Sequence, residues 1–149
     1  KVQFSGLSDS AQASIAYISY AKDKSFGLLT KLDHIIFKQN GYIAIEETDG
    51  CPQADAISVD HHSCRLGKWY YEGVGYEKFR GTHAYASLES PHGDVHRYTQ
   101  QSYALSRGNW SEDVHILENI ISEMQHSEDA SADVMSQIDA MVEEKHQGI

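Results

Sequence analysis

Leu28-Leu29-Thr30-Lys31-Leu32-Asp33-His34-Ile35-Ile36-Phe37-Lys38-Gln39-Asn40-Gly41-Tyr42-Ile43 contains no proline and repeats apolar residues at helical steps. Leu28, Leu32, Ile35, Ile36, Gln39, Tyr42 and Ile43 recur every three or four positions. Residues so spaced share one side of an α-helix, so the pattern predicts a first helix with that stripe buried. Upstream, either Ser8 or Ser10 can cap it; downstream, Thr48-Asp49-Gly50-Cys51-Pro52 stops it after about Glu47. Gly27 and Gly41 lower helix propensity, which leaves room for a local break near Gly27.

Beyond that helix, residues 49–63 are polar and read as a loop. Leu66, Trp69 and Tyr70 gather within a turn or two and Gly73 and Gly75 follow, which predicts a short helix; Tyr76 to Phe79 adds a turn. Ser90-Pro91 reads as N-cap and first helical residue of a helix to about Ser106, ended by Arg107-Gly108-Asn109. Ser111, with Glu112 and Asp113 after it, starts a last helix. Val114, Leu117, Ile121, Met124, Met135, Ile138 and Val142 keep one register across that helix to about Lys145. The expected fold is therefore all-α: an antiparallel four-helix bundle with two long and two or more shorter helices, the first and last packing together in one domain over residues 1–149.

Composition agrees and narrows the function. The 149 residues are 40% hydrophobic and 23% charged with only 2 prolines, as one globular core requires. A formal charge of -10 repels phosphate backbones and anionic bilayers, so neither nucleic acid nor direct membrane contact is expected. No stretch reaches the roughly 18 apolar residues of a membrane span and no basic-then-apolar leader opens the chain. Lys1 is not a natural start, so the sequence reads as a piece of something longer. Two cysteines, Cys51 and Cys64, make no disulfide framework, and a reducing cytoplasm is the expected location.

Nine histidines are the excess that points to a metal or to pH. His92 and His96 lie four residues apart, about 40° around a helix, and can hold one cation. Such a pair also arises by chance in a histidine-rich chain, and the glutamate that zincin proteases place after the first histidine is Gly93 here. Cys64 offers the softest donor, with Leu66 and Trp69 as anchors and Gly67 allowing close backbone approach; a small buried hydrophobe is the ordinary fate of such a cysteine. His34 lies on a face of Gly27, Thr30, Phe37 and Gly41, which leaves room for a neighbouring helix or a metal where Leu or Ile would have filled a core.

Leu32-Asp33-His34, Phe37-Lys38, Tyr42, Cys64-Arg65-Leu66-Gly67-Lys68-Trp69-Tyr70, Pro91-His92 and Val95-His96 together resemble the chemoreceptor zinc-binding domain, a bacterial family of helical bundles with a three-histidine, one-cysteine site. The intervals of 30, 28 and 4 residues agree with its layout, and Cys-x-Leu-Gly-x-Trp is the most specific element. The resemblance covers residues 26–106. It implies that His34, Cys64, His92 and His96 bind Zn2+, and that the domain is no enzyme but regulates an attached signalling domain of the same chain as a homodimer. It implies a response to zinc availability or to oxidation of Cys64. The competing readings are a constitutive structural zinc site in a docking module and a metal-dependent hydrolase.

The remaining groups read more plainly. His61 and His62 can replace a ligand if their loop folds inward, although exposed loop histidines are commoner. Asp33 and Asp94 either orient an imidazole or are solvated. His83, His115, His126 and His146 are expected at the surface or an interface. Cys51 is a passive thiol or a partner for an oxidised Cys64.

Overall fold

The computed structural model describes residue 6, residues 8–47 and residues 49–147, and among these it is helical with no strand. The elements are α1 (Asp9–Glu46), α2 (Pro52–Ile57), α3 (Arg65–Glu72), α4 (Val74–Phe79), α5 (His83–Ser106) and α6 (Val114–Lys145). Ser8 caps α1, its hydroxyl accepting from the Ala11 amide at 3.3 Å. Thr48, within the expected stop signal, and Lys1 lie outside the described residues. The last carbonyls of α1 are satisfied from a distance: the Arg107 guanidinium donates to Ala44, Ile45 and Glu47 at 3.0, 3.2 and 3.1 Å.

Several expectations need correction. α1 runs unbroken through Gly27, and its buried face is Gly27, Thr30, His34, Lys38, Gly41, Ala44 and Ile45. The apolar stripe points outward instead: Leu28 is 71% exposed and Leu32, Ile35, Ile36 and Tyr42 are exposed too. The reason is geometric, since α1 approaches its neighbours through small residues and satisfies the polar ones locally, as where the Thr30 hydroxyl donates to the Gly27 carbonyl at 2.9 Å. Lys38 is buried beside Glu128, with which it forms an ion pair.

Residues 49–63 contain α2, with Pro52 at its first turn, where the absent N–H leaves nothing unpaired. Ser90-Pro91 does not start a helix. α5 begins eight residues earlier under Thr82, whose hydroxyl accepts from the Tyr85 amide at 3.2 Å, and Pro91 lies inside it. An interior proline costs about 3 kcal/mol, but buried Ala84, Tyr85 and Leu88 upstream offset it, and the Glu144 carboxylate accepts the orphan amides of His83 and Ala84 at 2.6 and 3.1 Å. α6 is capped by Asp113 rather than Ser111, the carboxylate accepting from His115 and Ile116. Its inward register is Ile120, Met124, Ser127, Val134, Ile138 and Met141, so Val114 and Ile121 are exposed although they were expected inside.

α5 and α6 share the most extensive interface, with α1 packed on both. Leu66, Phe79, Leu88, Val95, Val134, Ile138 and Met141 form the main core; each such side chain contributes about 1.5–3 kcal/mol on burial. Between α5 and α6 the polar contacts step in opposite directions: Ser102 donates to the Ile120 carbonyl at 3.1 Å, Thr99 meets Ser127 at 2.8 Å, and Glu144 meets His83. α1 is held to α6 by Lys31–Asp139 at 2.5 Å and Lys24–Glu143 at 2.8 Å. Exposed pairs of this kind add at most about 1 kcal/mol each. Packing sets the spacing: a Cβ on Gly41 would come within 2.5 Å of Thr99 Cγ2. Gly41→Leu should therefore destabilise the fold by about 1–3 kcal/mol, read as an earlier midpoint in urea denaturation; an unchanged midpoint would show that α1 is not seated on α5 there.

Candidate metal centre

Three segments deliver four donors to one place. His34 comes from the middle of α1, Cys64 from the N-cap of α3, and His92 and His96 from successive turns of α5. One ligand atom from each lies within 4.8 Å of every other, and all three histidines are buried. Cys64 Sγ stands 3.2 Å from His92 Nε2, and the imidazole centroids of His34 and His92 are 5.0 Å apart and those of His92 and His96 5.2 Å. A tetrahedral zinc shell with Zn–N near 2.0 Å and Zn–S near 2.3 Å has donor–donor edges of about 3.3–3.7 Å, so small side-chain movements suffice to close on an ion.

Local structure fixes which atoms face inward. His34 Nδ1 lies 2.8 Å from the Thr30 carbonyl and His96 Nδ1 lies 2.8 Å from the Val59 carbonyl. Each backbone oxygen takes the Nδ1 proton and leaves Nε2 as a lone-pair donor. His34 Nε2 is buried without any hydrogen-bond partner, an arrangement that a metal would satisfy. Cys64 sits at a helix start, where its sulfur accepts from the Gly67 amide at 3.3 Å. Gly67 is required there: a Cβ would lie 1.9 Å from the His61 carbonyl oxygen. Leu66 is the buried anchor expected, and Trp69 stacks on Phe26 with centroids 4.8 Å apart.

The electrostatics describe a site built for neutral nitrogen and anionic sulfur around a cation. Burial, reinforced by the neighbouring imidazoles, pushes His92 down to about 2, and burial pushes His96 down to about 4. Burial lowers His34 as well. The Cys64 thiol is pushed up by burial in the metal-free protein, so it stays protonated at neutral pH until a cation stabilises the thiolate. The described residues therefore fit zinc by donor type, count and geometry.

Residues 34–103 match the family model of the chemoreceptor zinc-binding domain. Over those residues the chain is similar to that family. The searches of curated proteins and of solved structures returned no match. The chemoreceptor zinc-binding domain carries Zn2+ as its cofactor, and in this chain His34, Cys64, His92 and His96 form the cluster able to hold the ion.

The other histidines and carboxylates divide differently from expectation. The loop before Cys64 does fold inward: the His61 ring lies edge-on to His92, centroids 5.6 Å apart, while His62 remains exposed and stacks on Tyr71. Neither Asp33 nor Asp94 orients an imidazole. Asp33 pairs with Arg65 at 3.3 Å and Asp94 with Arg97 at 2.7 Å. The orienting groups are the carbonyls of Thr30 and Val59, which carry no side-chain signature in a sequence. His83, His115 and His126 are exposed as expected, but the His146 side chain is tucked against Asp23 at 2.7 Å.

The depressed histidines give the metal-free domain a definite pH response. The unfolded chain takes up protons near the ordinary value of 6.5 while folded His92 and His96 resist until about 2 and about 4. The unfolded state then binds more protons, so stability present above 6.5 is lost as pH falls toward those lower values. Denaturant titrations of the zinc-free domain should show stability falling between about pH 7 and about pH 5, by at most roughly 1.4 kcal/mol per pH unit for each histidine; a flat or rising profile would contradict the buried neutral cluster.

Proposed function

We propose that this domain is a zinc-dependent sensory module of a bacterial chemoreceptor-like protein, with His34, Cys64, His92 and His96 as the ligands. The observation that carries the reading is the convergence of those four donors from α1, α3 and α5. When bound, the ion supplies the positive charge that keeps the Cys64 sulfur anionic and ties the three segments together. Four protein donors complete a tetrahedral shell and reserve no position for a reacting water, so the module acts as a regulator and not as an enzyme.

Sensing requires an accessible weak corner, and Cys64 is that corner. A cleft of ≈ 350 Å³ reaches it, lined among others by Asp33, His34, Ser63, Cys64, Arg65 and His96. An oxidant such as hypochlorous acid enters there: the thiolate gives up two electrons, gaining OH as sulfenic acid while the oxidant leaves as chloride. Loss of the sulfur donor frees α3 from His34 on α1 and from the α5 pair, while α6, which contributes no donor, keeps its packing on α5. Zinc depletion has the same consequence. The change passes to a signalling domain of the same chain in the cytoplasm; no described helix is long and apolar enough to cross a membrane. The stepwise polar contacts of α6 support its antiparallel pairing with both α5 and α1, as an antiparallel four-helix bundle requires.

Purified without added metal, the domain should carry about one zinc per chain by elemental analysis, and His34→Ala should carry almost none. Loaded with Co2+ in place of zinc, it should show a sulfur-to-cobalt charge-transfer band that Cys64→Ser lacks and that one equivalent of hypochlorous acid removes from the wild type. A metal-free wild type, or a cobalt spectrum indifferent to Cys64, would overturn the ligand assignment; a band that survives the oxidant would leave a static zinc staple.

The outward stripe of α1 is the face for a second copy of the chain. Leu28, Leu29, Leu32, Ile35 and Ile36 present an exposed apolar surface beside the metal helix face, which a monomer does not hide. Sedimentation equilibrium should find a dimer that Leu32→Glu with Ile36→Glu converts to monomer; a wild type that stays monomeric at high concentration would refute this interface.

A further inference from the structure

Within the segment that precedes Cys64, one imidazole has a seat and no occupation. The His61 ring lies 5.6 Å from that of His92, nearly perpendicular to it, and 6.3 Å from that of His96. No hydrogen bond to either of its ring nitrogens is formed among the described residues. It rests on Gly93, the residue between the two α5 ligands' turns: a Cβ there would stand 3.6 Å from His61 Nε2. The ring therefore lies over the bare backbone of α5 at Gly93, at a distance where even an added methyl would meet it in ordinary van der Waals contact. His61 is outside the group of four that already converges, so it is no ligand while the sulfur holds its place.

The loop is built to keep the ring there. The Asp60 carboxylate accepts from the amides of His62 and Ser63 at 2.9 and 2.8 Å. The His61 carbonyl accepts from Cys64 Sγ at 3.5 Å and abuts bare Gly67. His62 is exposed and stacks on Tyr71, 4.5 Å between centroids. On the open side of His61 lies a groove of ≈ 580 Å³ bounded by Asp60, Glu89, Gly93, His96 and Arg97, which gives the ring room to rotate.

Resting on the zinc reading above, we propose that His61 is a reserve metal ligand. When the Cys64 sulfur leaves the ion, the neutral imidazole of His61 turns from the Gly93 shelf and completes a four-histidine shell with His34, His92 and His96. Zinc is then kept through the change, and the response is a re-seated 60–64 loop rather than release of the ion. The Cys64 contact with the His61 carbonyl makes the two events one: the same short loop carries the departing donor and the arriving one.

The test compares metal affinity and cobalt spectra across wild type, Cys64→Ser, His61→Ala, Cys64→Ser/His61→Ala and Cys64→Ser/His62→Ala. The serine hydroxyl keeps the helix cap but is a poor zinc donor. With zinc and a competing chelator, His61→Ala should bind like wild type, whereas removal of His61 from Cys64→Ser should weaken binding on the order of tenfold or more. Cobalt-loaded Cys64→Ser should retain intense four-coordinate absorption without the sulfur band. The Cys64→Ser/His61→Ala protein should lose that intensity as water enters, and Cys64→Ser/His62→Ala should match Cys64→Ser. Equal affinities and equal spectra with and without His61 in the serine background would overturn the reserve-ligand proposal while leaving the zinc centre standing. A wild type that binds neither metal would instead remove the zinc reading itself. Circular dichroism of each metal-free variant excludes unfolding as the cause of lost binding.

Discussion

Three imidazoles packed in one dry place cannot satisfy one another. His34, His92 and His96 are each almost fully buried, burial holds them neutral, and His34 Nε2 finds no donor within the protein. Each is turned so that its remaining lone pair faces the Cys64 sulfur and the other rings, with backbone carbonyls taking the protons of His34 and His96. Only a cation resolves that arrangement, because it is the one partner that accepts all four electron pairs at once. The small-residue face of α1, the glycine under the His61 carbonyl and the inward fold of residues 58–64 all serve to bring those donors within reach.

That constraint also explains how the helices divide their work. α1, α3 and α5 bring the four clustered donors together, while α6 adds none to that cluster and supplies the apolar wall of Val134, Ile138 and Met141. A metal held by that cluster would add stability selectively, to the contacts between α1, α3 and α5. A module whose linkage to metal is confined to part of its fold can change shape there without unfolding the rest. Cys64 is the one of the four donors that comes from a helix cap rather than a helix interior.

Sequence patterning was read correctly where one residue type has one physical use. Ser8 as a cap, Gly73 after the short aromatic helix and Arg107 at the end of α5 all follow from local backbone chemistry. It failed on α1, where Leu28, Leu32 and Ile36 looked like the core stripe and proved to be outside. Hydrophobic periodicity identifies a helix and an apolar face, but an apolar face serves a partner chain as well as a core. The competing signal was present in Gly27, Thr30, His34 and Gly41, a face too small and polar to be a core by itself. Pro91 misled for a related reason: its local preference for a first turn was outweighed by the packing of Ala84 and Leu88 before it.

The chain by itself determined an all-helical protein and picked out the four residues, His34, Cys64, His92 and His96, that fold into one cluster able to hold a metal, because donor chemistry and a specific Cys-x-Leu-Gly-x-Trp element are properties of residues and their order. Tertiary structure alone decided which face of α1 is inside, which backbone carbonyls hold the imidazoles, and that His61 rather than His62 lies against the cluster. Those outcomes depend on distances between segments remote in sequence, and a main-chain carbonyl such as that of Val59 is chemically the same at every position until folding places it.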